Sequence, residues 1–399
     1  MIMKNFFSKS TYFLCTLFAL SGINQTEATL SYETYLESWD SQWQTVMQNL
    51  PDTPAGTPNY QGTTLDIAFA AYLFPNSEVQ GTQFQNPNSD IATIISFVHG
   101  QGGKVKLSYG GASYALPAYP NYFISQTTAN GGWPNNMQYL AGGVINAIQK
   151  NYGTNNNPLY LDGVDFDIED PQPAYSAQDF AQDLYNFLAL VRAGLPDKTI
   201  SLTIPGQGWN TYWEIIAKLA SQDGGPVDSV NFMEYDIYIT PGYSYAEQIF
   251  GDIVTYTSLP NVAPAPNWTP GWGIDPRKVQ LGLMPANDDL GNNLTVSNAE
   301  NLASVAATSN KFGKPLYGVM TWCLNRDALT DLNPNTVNNP STLTLPPYQY
   351  SNAIRSTLNK PKPLFKMVRN QFRKRKVAIF PSPFQRQPPP PHGFPGFII

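Results

Sequence analysis

Cysteine and histidine are nearly absent from this chain. Its 399 residues include two cysteines and two histidines, His99 and His392. So few histidines argue against a histidine-based zinc site and against a Ser-His-Asp hydrolase. Charged residues are also scarce, at 13% of the chain, which is about half the usual share. The net charge of −6 argues against nucleic acid as a partner, because that polyanion attracts basic surfaces.

The first 28 residues lack an apolar run long enough to span a bilayer, but they have the layout of a secretory signal. Lys4 and Lys9 give a positive start, Tyr12–Leu20 an apolar middle, and the stretch ending at Ala28 a cleavage site. We therefore expect a secreted, extracellular protein. Removal of residues 1–28 would leave Cys323 as the one cysteine, so no intramolecular disulfide is expected.

Acidic residues are missing from the last forty positions. This region is rich in proline and contains nine basic residues: Lys360, Lys362, Lys366, Arg369, Arg373, Lys374, Arg375, Lys376 and Arg386. Such a composition cannot bury a core, so residues 359–399 are predicted to be a disordered tail and residues 29–358 a single folded domain. Two interpretations of the tail stay open: a solubilising or vestigial extension, and electrostatic attachment to an anionic cell surface.

Strand-like runs alternate with helix-like runs through this domain. The strands are predicted at Leu30–Leu36, Thr64–Ala70, Lys104–Ser108, Leu161–Glu169, Thr199–Ile204, Ser229–Tyr235, Val279–Met284 and Leu316–Trp322. Eight strands with helices between them predict an α/β fold, a (β/α)8 TIM barrel. Apolar residues spaced along Ile91–Val98 predict one helix, and the pair Ser176 and Asp179 predicts the capped start of another that ends at Gly194.

Carboxylates alternate with apolar side chains in the stretch that ends at Glu169. As a strand, it directs Asp165, Asp167 and Glu169 to one face, with neighbouring acids roughly 6.6 Å apart. Two charges at that spacing repel by roughly 2.5 kcal/mol at an effective dielectric of 20, so at least one acid should keep a proton. Glu169 is longest and nearest the end of the strand, where the active sites of barrel enzymes lie, so it is the candidate general acid.

Two non-catalytic interpretations of the acidic strand are a calcium-binding loop and a purely structural role. A calcium loop would need glycine at its sixth position, where Asp170 stands. A purely structural acidic strand stays open. The spelling Asp-Gly-Val-Asp-Phe-Asp-Ile-Glu over 162–169, however, resembles the signature of the family 18 glycoside hydrolases, the chitinases and their relatives.

Three further segments are similar to motifs of that family. Ser108-Tyr109-Gly110-Gly111 resembles its Ser-X-Gly-Gly motif, whose role there is mainly structural. Met233-Glu234-Tyr235-Asp236 resembles its Met-X-Tyr-Asp motif, which implies that Tyr235 hydrogen-bonds the acetamido carbonyl of the substrate and Asp236 contacts sugar hydroxyls. Trp322 stands where the family has a tryptophan under the reacting sugar.

The remaining candidate ligands follow from the same strand ends. We assign Gly111, Met233, Asp236 and Trp322 to substrate binding, and we add Gln207, after the fifth strand, as a candidate polar contact. The resemblance implies no metal and no cofactor. Between Met284 and Leu316 the chain is too short for the inserted subdomain that accompanies deep clefts in the family, so we expect an open groove and endo cleavage. We also expect the protein to be a monomer.

The resemblance also implies a mechanism. Retaining glycosidases usually place a carboxylate nucleophile opposite the acid, but this family is substrate-assisted. Glu169 would act as general acid and then general base, Asp167 would orient the acetamido nitrogen, and Asp165 would share a proton with Asp167. The implied substrate is chitin or a chito-oligosaccharide. Two alternatives stay open: an endo-N-acetylglucosaminidase acting on glycoprotein glycans, and an inactive chitin-binding lectin on the same scaffold.

Overall fold

Eight parallel strands close into a barrel. The computed structural model describes residues 30–51, 60–69, 84–111, 135–169, 176–206, 210–259, 271–288, 290–308, 314–328 and 347–359. The strands, in chain order, are β1 Ser31–Glu37, β2 Thr63–Phe69, β3 Lys104–Gly110, β4 Gly163–Asp167, β5 Thr199–Pro205, β6 Ser229–Met233, β7 Val279–Leu283 and β8 Gly318–Thr321. Each strand pairs with its sequence neighbours and β1 closes on β8. The predicted eight-stranded α/β barrel is confirmed.

Helices follow most of the strands and cover the outside of the barrel. They are α1 Trp43–Gln48, α2 Pro87–Gly100, α3 Asn135–Gln149, α4 Ala177–Gly194, α5 Thr211–Ser221, α6 Tyr245–Thr257, α7 Val296–Ala307, α8 Leu324–Ala328 and α9 Gln349–Leu358. Ser176 accepts a hydrogen bond from the Asp179 backbone at 3.1 Å, which is the predicted N-cap. Within the described part of the chain, no helix has the length and apolarity needed to cross a membrane.

The core lies between the barrel and its helices. On β4, Val164 and Phe166 face outward and are fully buried, and Phe166 meets Phe187 of α4 edge to face at 5.4 Å. The alternate residues of the same strand, Asp165 and Asp167, are directed to the inside. The alternation in β4 therefore places apolar side chains against the helices and acidic side chains in the barrel interior.

The lower part of the barrel interior holds an ion cluster instead of the branched apolar side chains usual in this architecture. Lys106 of β3 is fully buried, and its Nζ lies 2.8 Å from Glu33 Oε1 and 3.3 Å from Asp66 Oδ1. Asn231 of β6 donates to the same Glu33 oxygen at 3.1 Å. We call Glu33, Asp66 and Lys106 the interior ion cluster.

The segment between β7 and β8 is compact. A short antiparallel hairpin, formed by Ala286–Asn287 with Asn293–Leu294, leads directly into α7. The described residues of this segment therefore form a loop and a helix, as predicted, and no inserted subdomain is present among them.

Candidate active site

Asp165 lies at the centre of the site and is completely buried. Its Oδ1 accepts hydrogen bonds from Ser201 at 2.5 Å and from Thr203 at 2.9 Å, and its Oδ2 accepts from Tyr35 at 2.8 Å and from Ser108 at 2.9 Å. Register explains two of these contacts, because β3 and β5 place Ser108 and Ser201 directly beside Asp165. Four hydroxyl donors are what a carboxylate, which can only accept, requires.

Asp167 and Glu169 converge beside the end of β3. A methyl group placed on Gly111 would lie 3.9 Å both from Asp167 Oδ2 and from Glu169 Oε1, so the two carboxyl groups meet at the face of this glycine. Gly110 permits the approach, since a Cβ there would overlap the carbonyl oxygen of Asp167. Glu169 stands two residues beyond the end of β4, and not inside the strand as predicted. The pairing of β4 with β3 ends at Gly110 and Asp167, which frees Glu169 to turn toward its neighbour.

Tyr235 stands at the same end of the barrel, two residues beyond β6. Its ring packs with Met233, and it is 7% exposed, yet its hydroxyl has no hydrogen-bond partner. Burial, followed by the charges of Asp167 and Glu169, raises the pKa of Tyr235 well above its ordinary value, so the phenol keeps its proton and stays a donor. A buried donor without a protein acceptor is costly and is typical of a functional site.

Asp236 turns the chain away from the barrel in a left-handed conformation, with φ of 54°. Its backbone N–H donates at 2.8 Å to Asp288 Oδ2, a buried carboxylate in the loop after β7. Asp288 Oδ1 also accepts from the backbone of Leu290 at 3.1 Å and of Asn292 at 2.7 Å. Asp288 therefore ties the loop that carries Asp236 to the hairpin after β7.

Trp322 provides an aromatic wall beside the acids. Its ring lies 5.2 Å from Tyr35 and 6.2 Å from Trp39, measured between centroids. It is only partly buried and packs on the small cluster that contains Met233 and Tyr235. Cys323, which follows it, is a fully buried free thiol, and burial raises its pKa well above the ordinary value.

The two acids inside the strand, Asp165 and Asp167, differ in protonation. Burial, together with the charges of Glu169 and Asp165, raises the pKa of Asp167 well above its ordinary value. Burial also raises the pKa of Asp165, but Lys106 and the hydroxyl donors oppose that rise. Asp167 Oδ1 has no hydrogen-bond partner, whereas both oxygens of Asp165 are saturated. The geometry thus favours an ionised Asp165 and a protonated Asp167 at neutral pH.

Most of the residues singled out from the sequence come together here. Asp165, Asp167, Glu169, Tyr235 and Trp322 surround one end of the barrel, together with a further set of three: Gly111, Met233 and Asp236. Gln207 lies outside the described residues.

Two residues of the site escaped the sequence analysis. Tyr35 of β1 contacts both Asp165 and Trp322, and Lys106 lies one layer below. For Tyr35 the available signal was its place two residues after Glu33 in β1, which puts both side chains on the same face of the strand.

Comparison with known proteins finds chitinases among the similar chains. No protein-family model matches the chain. A secreted chitinase of Penicillium expansum, LysM12, is 27% identical over 213 residues, which cover 52% of this chain and 12% of that protein. The chain therefore spans only a small part of the length of this relative.

Solved structures share the fold at low sequence identity. The catalytic domain of a hyperthermophilic chitinase from Pyrococcus furiosus superposes with a TM-score of 0.52 at 19% identity, covering 83% of this chain and 95% of that one. Site mutants of active domain 2 of a Pyrococcus furiosus chitinase, solved with chito-oligosaccharides, give 0.54 at 19% identity, covering 85% and 97%. A xylanase-α-amylase inhibitor protein solved with trehalose gives 0.50 at 18% identity, covering 76% and 96%.

The inhibitor among these neighbours means that the barrel alone does not establish an activity. What the chain shares with the chitinase domains is the barrel fold. In this chain the acidic motif lies at the carboxyl end of the fourth strand. Fold and motifs together confirm that this chain resembles the family 18 glycoside hydrolases.

Proposed function

We propose that this protein is a secreted chitinase that hydrolyses β-1,4-linked N-acetylglucosamine polymers with retention of configuration. One observation supports the proposal: the carboxyl groups of Asp167 and Glu169 converge beside Gly111, close to the buried, unpartnered hydroxyl of Tyr235. The charges of both acids raise the pKa of that hydroxyl. Three such groups at the carboxyl end of a barrel form a proton donor, an orienting acid and a hydrogen-bond donor for one sugar residue.

In the first step the acetamido oxygen of the substrate attacks C1 while the bond from C1 to the leaving oxygen breaks. Glu169 gives its proton to that oxygen, and the Tyr235 hydroxyl donates to the acetamido oxygen and holds it in line. Asp167 contacts the acetamido nitrogen, where positive charge develops as the oxazolinium ring forms. A polar group directed at the charge that develops in the transition state stabilises it far more in a water-poor site than in water.

In the second step Glu169 takes a proton from water, and the hydroxide formed attacks C1 and reopens the ring. Two inversions at C1 give net retention. This mechanism needs no carboxylate nucleophile. That suits the site, because Asp167 and Glu169 both lie at the end of β4 and not on opposite sides of the sugar. Trp322 would underlie the reacting sugar, offering a large apolar face at modest entropic cost.

The test is Glu169→Gln, assayed on chitotetraose with separate measurement of binding. Loss of a general acid should lower kcat by about 10² to 10⁴-fold while oligosaccharide binding is kept. Glu214→Gln is the matched control, since Glu214 lies on α5 and pairs with Lys218 at 3.1 Å, away from the barrel mouth. Near-normal turnover by the Glu169 variant would overturn the assignment. Oligomers lacking the acetyl group on the reacting sugar should resist cleavage in the same assay.

Two other activities remain distinguishable by their substrates. An endo-N-acetylglucosaminidase would cleave a denatured glycoprotein in preference to chitotetraose, and the Met-X-Tyr-Asp segment with Trp322 favours chitin instead. An inactive lectin would bind a fluorogenic chitobioside without releasing the fluorophore; the presence of Glu169 argues for release. Secretion through residues 1–28 and surface attachment through the basic tail belong to the same proposal.

A further inference from the structure

Lys106 has no part in the chemistry described above, yet it lies beneath the acids. It is the one basic residue of the described strands whose side chain is buried inside the barrel; Lys104, two positions earlier, is exposed. A buried ammonium is expensive unless it is paired and hydrogen-bonded. Here Nζ meets Glu33 Oε1 at 2.8 Å and Asp66 Oδ1 at 3.3 Å.

The third contact of Lys106 leads to the active site. Its Nζ donates to Ser201 Oγ at 2.7 Å, and Ser201 Oγ donates to Asp165 Oδ1 at 2.5 Å. A single hydroxyl therefore joins the ammonium to the central carboxylate. Because the ammonium lies within two hydrogen-bond lengths of Asp165 in a dry interior, their attraction is screened far less than at a surface.

The interior ion cluster carries one positive and one negative charge. Burial alone would raise the pKa of Glu33, but Lys106 and hydrogen bonds from its neighbours lower it below the ordinary value. Burial, with the charge of Glu33, raises the pKa of Asp66 well above the ordinary value, so Asp66 holds a proton. The ammonium is thus shared between Glu33 and the hydroxyl that contacts Asp165.

Among the residues that the structure describes, every other titratable group around Asp165 is acidic. They are Glu33 and Tyr35 from β1, Asp66 from β2, Asp167 and Glu169 on or just after β4, and Tyr235 after β6. Negative charge on any of them disfavours a carboxylate at Asp165. Lys106, from β3, is the one charge from the described part of the chain that favours it.

We propose that Lys106 is a positioning residue of the active site: acting through Ser201, it holds Asp165 as the carboxylate and so leaves the exchangeable proton of the acidic strand on Asp167. The inference rests on the proposed function and deepens it, because it assigns where the proton resides before the sugar binds. The four hydroxyl donors around Asp165 fit this assignment, since a protonated Asp165 would need an acceptor.

Opposite charge changes should move the pH profile in opposite directions. Lys106→Met removes the cation at similar length, so Asp165 protonates more readily and the acid limb of kcat/KM should move up by about one pH unit or more. Glu33→Gln removes a neighbouring anion, so the same limb should move down. Lys104→Met, an equal change at the exposed start of β3, should leave it in place.

The design separates this inference from a structural role and from the proposed function. A packing defect would lower Tm in both variants without moving the limb in opposite senses; limbs that stay fixed in both would overturn the inference. If Lys106→Met does not fold, Glu33→Gln and the double variant Glu33→Gln/Lys106→Met, which removes the buried pair together, still test it. In the double variant the acid limb of kcat/KM should move by less than it does in either single variant, because the two charge changes oppose each other.

A second readout does not depend on turnover. Carboxyl ¹³C NMR titration, with Asp165→Asn used to assign the resonance, should show the Asp165 midpoint rising in Lys106→Met. A wild-type chain that cleaves no acetylated oligomer defeats the proposed function alone, whereas an unmoved Asp165 midpoint defeats the role of Lys106 alone.

Discussion

Replacement of Tyr235 by phenylalanine should make the protein more stable and less active. The hydroxyl is buried and has no hydrogen-bond partner. An unsatisfied buried polar group costs about 1–3 kcal/mol. Its removal should therefore raise the free energy of unfolding by about 1 kcal/mol, or Tm by about 2 °C in a domain of this size. Most tyrosine-to-phenylalanine changes at bonded sites have the opposite sign.

Activity should fall in the same variant. If the hydroxyl donates to the acetamido oxygen as charge develops, its loss should lower kcat/KM by about 10² to 10³-fold, the usual cost of removing one such donor. The assay is release of a fluorophore from a chitobioside, paired with thermal unfolding of the same preparation. A Tyr235→Phe protein with lowered Tm and activity within twofold of wild type would refute the reasoning.

The matched control is Tyr256→Phe. The Tyr256 hydroxyl is also buried, but it donates to Glu234 Oε1 at 2.5 Å, and its ring stacks on Phe232 with centroids 3.9 Å apart. This substitution leaves a carboxyl oxygen without its donor, so it should cost about 1–3 kcal/mol of stability. Tyr256 lies on α6, outside the barrel, and kcat/KM should stay unchanged.

Two further predictions concern pH and substrate length. Four buried carboxyls, besides Asp165, have raised pKa values: Asp66, Asp167, Glu234 and Asp327. They keep protons that the unfolded chain releases above about pH 4, so stability is lost as pH rises through the raised values, and Tm should be lower at about pH 8 than at about pH 5; the reverse order would contradict the assignment. Tyr238 is 70% exposed after β6, and Tyr238→Ala should raise KM for long oligomers by about 3 to 10-fold. Tyr139→Ala on α3, 49% exposed, is the control; equal effects would exclude a groove contact.

The barrel could be predicted because its strands carry their own signal. The alternation in β4 and the capping pair before α4 are local patterns, and both were confirmed. Strand ends were less accurate: β4 ends at Asp167 and β6 at Met233, two residues before Glu169 and Tyr235. Pairing with neighbouring strands decides where a parallel strand ends, and a single sequence does not contain the register.

The interior ion cluster could not be predicted for a related reason. Lys106 alternates with Val105 and Leu107, a pattern that ordinarily indicates a strand with one face in solvent. Strands β1 and β3 both pair with β2, and the curvature of the barrel directs Glu33 and Lys106 into the same interior, where they meet. The partners of a buried charge on other strands depend on how the strands are arranged, which a single sequence does not show. The acids of β4 share one strand, so their proximity could be predicted from the sequence.

The link through Asp288 makes the position of Asp236, the proposed sugar contact, depend on the hairpin after β7. Since Asp288, after β7, holds the backbone of Asp236, after the adjacent strand β6, lengthening or shortening the hairpin would shift the rim of the groove at β6. Grafting alternative hairpins at Asn287 and Asn293 is therefore a route to altered oligomer preference that leaves the acidic strand untouched.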